Sequence, residues 1–198
     1  MNRALFYDFE TTGIPDWKHP SESPQQPHIV QVGALLVELP TRRVLSTLDL
    51  IIRPESWTIG EDMIAIHGIT NEIAMDLGVP EGLAIEMLLE LALKAESRVA
   101  FNDPFDSRVG RIAIKRYLNE ESAAQWKAQT TRCAMRMANP YTKLGKVPKL
   151  SEAYQHFFGR SLVGAHNALV DTRACMEVFF AVQDHEAANV VDAEFVPA

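Results

Sequence analysis

The strongest constraint in the sequence is an almost unbroken apolar run over His28 to Leu39, in which Ile-Val-Gln-Val-Gly-Ala-Leu-Leu-Val-Glu-Leu follows the histidine. A strand with one wet face alternates polar and apolar residues, whereas a run like this suits a strand covered on both faces. Such a strand implies an α/β domain with helices on either side of a sheet. Arg3 to Phe9 reads as a short strand preceding it. Pro40-Thr41-Arg42-Arg43 reads as a turn into a third strand, Val44 to Arg53, so the first three strands form an antiparallel unit containing a hairpin. Arg98 to Phe101 is a brief fourth strand. Helical composition and period occupy Glu81 to Glu96, Phe105 to Leu118, and the stretches at about 131–138, 150–158 and 167–183. Ile14 to His28 carries four prolines and reads as a loop, as does Ala65 to Thr70. The expected organisation is one domain over residues 1–183, with a mixed central sheet flanked by helices and a tail at 184–198 that is frayed or packed as an arm.

Composition narrows the class. In 198 residues, 47% are hydrophobic and 23% charged, which excludes wholesale disorder and collagen-like repeats. No stretch approaches the roughly 18–20 apolar residues of a membrane span, and Asp8 and Glu10 directly behind Ala4-Leu5-Phe6-Tyr7 argue against a signal peptide. Cys133 and Cys175 fit neither a disulfide framework nor a zinc-binding spacing, so a reduced, cytoplasmic setting with no membrane is expected. The net charge of −7 argues against a protein that coats nucleic acid. It is unevenly spread, however. From Asn102 to Arg173 there are 12 basic and 6 acidic residues, enough for a modest positive surface or for ordinary solvated helix faces. Arg132, Arg136, Lys143, Lys146 and Lys149 in this stretch are equally open to either reading.

Three clusters carry chemistry. Asp8 and Glu10 stand two apart at the end of the first strand, so they share a face at roughly 6.5–7 Å between Cα atoms. Two such carboxylates beside buried chain either reach solvent or hold a divalent cation between them, since burial unpaired would cost several kcal/mol. Thr11-Thr12-Gly13 follows as a tight turn, either plain scaffold or a cradle for a phosphate or sugar. Asn102-Asp103-Pro104-Phe105-Asp106 sits where the fourth strand passes into a helix, a place that also suits simple capping. His166 and Asp171 form the third cluster. Five residues of ideal helix leave them about 140° apart, so they serve one site only if His166 lies in the loose first turn or just before it. Gly164 and Ala165 upstream favour that arrangement.

Taken together, these residues make a chain that resembles the DEDDh branch of the DEDD exonuclease superfamily. Phe6 to Gly13 looks like its first motif, Phe101 to Asp106 like its second, and His166-x-Ala168-x-x-Asp171 like its third. His67-Gly68-Ile69-Thr70 is similar to a loop that the family uses near the nucleotide. The resemblance runs from about residue 4 to 182. It departs at Asp103-Pro104, where relatives usually carry small residues, and at Gln31, where many carry Glu.

The resemblance implies an RNase H-like fold and a two-metal 3′→5′ exonuclease that releases nucleoside 5′-monophosphates. Asp8, Glu10, Asp106 and Asp171 would hold two Mg²⁺ or Mn²⁺ ions, oxygen ligands being suited to hard cations. One ion would acidify the attacking water and the other stabilise the departing 3′-oxygen. His166 would be the general base, imidazole being matched to proton removal near neutrality. Thr11, Thr12 and Asn102 would position the terminal nucleotide, with His67 and Ile69 as further contacts. The expected partner is DNA or RNA with a free 3′ end, single-stranded, bound in a weak, salt-sensitive way. Action alone, as a homodimer, or as a subunit of a replication, repair or processing complex is left open. The alternative is a catalytically inactive nucleic-acid-binding or interaction module on the same fold, against which the complete acid set and His166 both count.

Overall fold

The structure is a computed structural model that describes residues 2–194, with side chains described through residue 188. Five strands form one sheet: β1 (Arg3–Thr11), β2 (Ile29–Glu38), β3 (Arg43–Ile51), β4 (Ser97–Ala100) and β5 (Thr130–Cys133), in the spatial order β3-β2-β1-β4-β5. β1 and β2, and β2 and β3, pair antiparallel, while β4 lies parallel to both β1 and β5. The mixed sheet with an antiparallel first unit is therefore present, and nine of the ten residues of β2 are buried, as its unbroken apolar run requires.

Eight helices are described: α1 (Glu61–His67), α2 (Asn71–Leu77), α3 (Glu81–Ala92), α4 (Asp103–Tyr117), α5 (Glu120–Ala128), α6 (Ala134–Thr142), α7 (Leu150–Phe158) and α8 (Ala168–Glu194). They divide between the faces of the sheet. Leu5, Tyr7 and Phe9 of β1 pack with Ile85 and Leu88 of α3, Val109 of α4 and Trp126 of α5. Ala4 and Phe6 point the other way, toward Ala138 of α6, Tyr154 of α7 and Phe179 of α8. By the two-residue period of a strand, Asp8 and Glu10 belong to this second face, where α8 lies.

Some boundaries differ from the sequence expectation. The segment expected to be helical from about residue 131 begins as β5. This is a four-residue edge strand with an exposed pattern, and α6 starts only at Ala134. Short exposed edges carry little alternation, so the amphipathic signal of α6 masks it. α5 had no counterpart in the sequence reading. Ala65 to His67, read as loop, closes α1, with Gly68 in the left-handed conformation and its N–H on the Ile64 carbonyl. The last helix does not stop at 183 but runs to Glu194, so most of the expected tail is helical; residues 195–198 lie outside the described residues.

Close approach of α8 to the sheet fixes the site. A Cβ on Gly33 of β2 would lie 2.3 Å from the Ala168 carbonyl carbon and oxygen. Only glycine lets the start of α8 sit directly on the strand. Two polar contacts hold it there. Gln31 accepts a hydrogen bond from the Ala168 N–H at 3.1 Å, and Thr172 donates its hydroxyl to the Gly33 carbonyl at 3.0 Å.

Candidate active site

Asp8 pairs with Gly33 and Glu10 with Gln31 across β1 and β2, so the two carboxylates sit beside the strand residues on which α8 rests. The β1–β2 register shifts between Glu10 and Thr11, an irregularity of the kind that re-aims side chains at the end of a strand. α8 begins at Ala168, with Asn167 ahead of it accepting from the Val170 N–H at 3.2 Å. His166 therefore lies before the helix, as the spacing required, and adopts a left-handed backbone with φ 66°. Its N–H donates to Asp171 Oδ2 at 3.0 Å. One ligand atom each from Glu10, His166 and Asp171 falls within 4.8 Å of the others.

Asp106 arrives from the opposite layer. It is buried in the first turn of α4 and accepts a hydrogen bond from the Phe9 N–H of β1. Its charge is felt at Asp8, together with those of Asp171 and Glu10. The four acids from three distant stretches thus form one electrostatic unit. Burial shifts every one of them toward the protonated form, reinforced at Asp8, Glu10 and Asp106 by the charge of neighbouring acids. Glu10 rises to about 7, from burial first and the Asp171 charge second. Asp8 and Asp106 go well above the usual carboxylate range, chiefly through burial. Asp171 also rises with burial, opposed by its bond from the His166 N–H.

The four acids and the imidazole fit divalent cations on two grounds. Asp171 Oδ1 is buried with no hydrogen-bond partner, an acceptor left open in the middle of the cluster. The donor set is also dominated by carboxylate oxygen, which hard cations prefer.

The remaining candidates divide by what they touch. Thr11 spends its hydroxyl on the Gly13 carbonyl at 2.7 Å, and Thr12 is locked to His28 through backbone and hydroxyl. Asn102 precedes α4 but makes no capping bond with its side chain, and it is exposed. His67 Nδ1 accepts from the Ile69 N–H at 3.1 Å, which places the ring proton on Nε2, an atom buried with no partner. Burial and the neighbouring His166 lower the pKa of His67. Ile69 is 7% exposed and packs with Val30, Ile59 and Ala74, so its side chain belongs to a small core beneath this loop. Asp103, the departure from the family pattern, faces inward and accepts from the Tyr7 hydroxyl. The sequence reading missed that contact, and it also missed buried Arg98, whose lone charge in a four-residue strand gives no pattern to read.

A three-layer α/β domain with four acids gathered over the end of β1 is the RNase H-like exonuclease architecture. The RNase_T exonuclease family model matches residues 5–179, so the chain belongs to that family of DEDD nucleases. No curated protein sequence matches the chain. Among solved structures, the zinc-bound E. coli ExoI–ssDNA complex is similar at TM-score 0.73 and 19% identity, over 94% of this chain and 41% of that one. E. coli exonuclease I with a dT13 oligonucleotide gives TM-score 0.73 and 18% identity, over 98% and 44%. The nuclease domain of 3′hExo, a DEDDh family member bound to rAMP, gives TM-score 0.63 and 18% identity, over 92% of both chains. At such identities the likeness is one of fold. The chain spans about two fifths of the exonuclease I chains.

Proposed function

We propose that this nuclease is a metal-dependent 3′→5′ exonuclease of the His-bearing DEDD branch, removing nucleoside 5′-monophosphates from single-stranded ends. The observation that carries this reading is the open Asp171 Oδ1, buried in a cluster where its charge raises the pKa values of Asp8 and Glu10. Such a cluster lacks positive charge, and two divalent cations held by Asp8, Glu10, Asp106 and Asp171 would supply it. When bound, they contribute Lewis acidity toward water and toward the scissile phosphate.

The chain's own residues account for the rest. The His166 backbone N–H is committed to Asp171, which anchors the residue while its side chain stays exposed beside Glu10 and Asp171. In that place the imidazole takes the proton from the attacking water. The exposed Asn102 amide and the His67 Nε2–H are the donors nearest in chemistry to what a sugar hydroxyl or phosphate needs. Thr11 and Thr12 shape the turn beneath the terminal nucleotide, and Ile69 acts through its backbone by fixing the His67 tautomer. Single-stranded substrates are favoured because the similar folds were seen with a single DNA strand and with a mononucleotide. Residues 1–183 would form the catalytic unit. Both cysteines are free thiols, which suits a cytoplasmic setting.

The test compares oligonucleotides with a free and a blocked 3′ hydroxyl, in Mg²⁺, in Mn²⁺ and in EDTA. Mononucleotide release from the free 3′ end alone, abolished by EDTA and by Asp8→Ala, is the expected result. Binding without release would establish the inactive module instead.

A further inference from the structure

Arg98 is the only charged residue of β4, and none of its surface is exposed. A guanidinium is costly to bury unless its donors are met. One terminal nitrogen donates to Tyr7 Oη at 2.9 Å and the other to the Trp126 carbonyl at 2.7 Å, the guanidinium carbon lies 3.4 Å from the Trp126 ring centroid, and the Nε–H alone is buried without a partner. No carboxylate takes these bonds directly. The Tyr7 hydroxyl, having accepted from Arg98, donates its proton to Asp103 Oδ1 at 3.3 Å. Asp103 is the first residue of α4, and Asp106 lies three residues on, along the same face of the helix. Asp106 is in turn held by the Phe9 N–H.

The start of α4 is therefore pinned to β1 twice, through Tyr7 and through Phe9. We propose that Arg98, Tyr7 and Asp103 form a positioning relay that sets the first turn of α4 over the end of β1 and so places Asp106 among the other acids. The proposal rests on the metal-dependent reading above. The relay gives Asp103 a role: the carboxylate faces inward, as the terminal acceptor of the chain of bonds from Arg98. It also accounts for the strand charge. An apolar side chain at position 98 would fill the layer between Tyr7 and Trp126 but could not orient the Tyr7 hydroxyl toward α4. Each of the three members lies on a different element, so the relay ties β4, β1 and α4 together, with α5 joined through the Trp126 carbonyl, at the one place where a ligand-bearing turn must be held still.

The experiment is Mn²⁺ binding by titration calorimetry on the full chain, with steady-state release of mononucleotides measured in parallel. Tyr7→Phe removes one oxygen and keeps the ring contacts with Phe9 and Trp126. It should weaken Mn²⁺ binding about tenfold, the scale at which partners of metal ligands act. KM for a single-stranded oligonucleotide at saturating Mn²⁺ should stay within twofold. Asp103→Ala should do the same, whereas Asp103→Asn, which keeps an acceptor for Tyr7, should stay within threefold of the parent. Parental Mn²⁺ affinity in both Tyr7→Phe and Asp103→Ala overturns the relay, as does Asp103→Asn binding as weakly as Asp103→Ala. If Tyr7→Phe does not fold, the two Asp103 variants decide. A parent protein that binds Mn²⁺ but releases no mononucleotide defeats the functional reading, and the relay is then judged on binding alone. A parent that binds no Mn²⁺ ends both.

Discussion

The backbone N–H of His166 donates to Oδ2 of Asp171, while Oδ1 of the same carboxylate is buried without a partner. One residue therefore contributes to the site in two separable ways, by its main chain to a ligand carboxylate and by its side chain to proton transfer. His166→Asn keeps the first and removes the second, and asparagine tolerates the left-handed backbone found there. The variant should lose roughly 10²–10⁴-fold in kcat. Its Mn²⁺ affinity should stay within about threefold and its thermal midpoint within about 2 °C. Asp171→Asn should lose metal affinity instead. Calorimetry beside single-turnover kinetics separates the two, and equal loss of metal binding in both variants would make His166 a ligand rather than the base.

The shared elevation of the carboxyl pKa values has a sign that can be checked without substrate. Glu10 titrates at about 7 in the folded protein against 4.5 as the ordinary value, so between those pH values the folded state holds a proton that the unfolded state has released. Stability of the metal-free protein must then fall as pH rises through this window, by about 3 kcal/mol from Glu10 alone. Asp8, Asp106 and Asp171 act in the same direction. Asp16 and Glu152, whose pKa values are lowered by their hydrogen bonds, are solvent-screened and act below the window, while half-buried His67, whose pKa is lowered by burial and by His166, opposes the trend only below about pH 6.5. In EDTA the unfolding midpoint should drop by roughly 6 °C or more between pH 5 and pH 8. Saturating Mg²⁺ or Mn²⁺ at pH 8 should restore it. A midpoint that rises with pH in EDTA would contradict the clustering of these acids.

The readable parts of the site were those in which spacing alone fixes geometry. Asp8 and Glu10 share a face because strands have period two, and the distance from His166 to Asp171 forces the histidine ahead of α8. The unreadable parts are single residues whose role depends on a partner far along the chain. Arg98 meets Tyr7 across 91 positions, and Gln31 meets Ala168 across 137. β5 was hidden for a different reason: a short exposed edge strand has too few alternations to outweigh the amphipathic helix that follows it. Gly33 sits inside an apolar run where a valine would have read just as well.

Gly33 nevertheless tolerates no side chain. The atoms that an added Cβ would meet at 2.3 Å are backbone atoms of Ala168, which cannot rotate away as a flexible side chain would. Gly33→Ala should push the start of α8 off β2, breaking the Gln31–Ala168 and Thr172–Gly33 bonds. The expected cost is about 3 kcal/mol or more, the upper end of overpacking penalties. Because Asp171 and His166 ride on this end of α8, metal affinity should fall together with stability. Denaturant unfolding and Mn²⁺ titration of the one variant would show both, and unchanged metal binding in a destabilised protein would disconnect the helix seat from the site.

A second support lies under the β1 turn, at Glu81. This carboxylate is 2% exposed and is met by the Ile29 N–H at 3.0 Å, the Tyr117 hydroxyl at 2.9 Å and His28 Nδ1 at 2.7 Å, with Arg116 at 3.7 Å. Arg116 also donates to the Gln26 and Pro27 carbonyls, so the cluster clamps the end of the long loop onto α3 and α4. His28 is the residue that holds Thr12 by a backbone bond to its carbonyl and by its own N–H to the Thr12 hydroxyl. Glu81→Ala would leave buried donors unpaired, a loss of about 3–5 kcal/mol. Glu81→Gln keeps the shape and one acceptor and should cost less. If Thr12 shapes the seat of the terminal nucleotide, Glu81→Gln should raise KM for oligonucleotide several-fold while leaving Mn²⁺ affinity unchanged, since none of the four acids touches this cluster among the hydrogen bonds found. A Glu81→Gln enzyme with parental KM would show that the turn keeps its shape without the clamp.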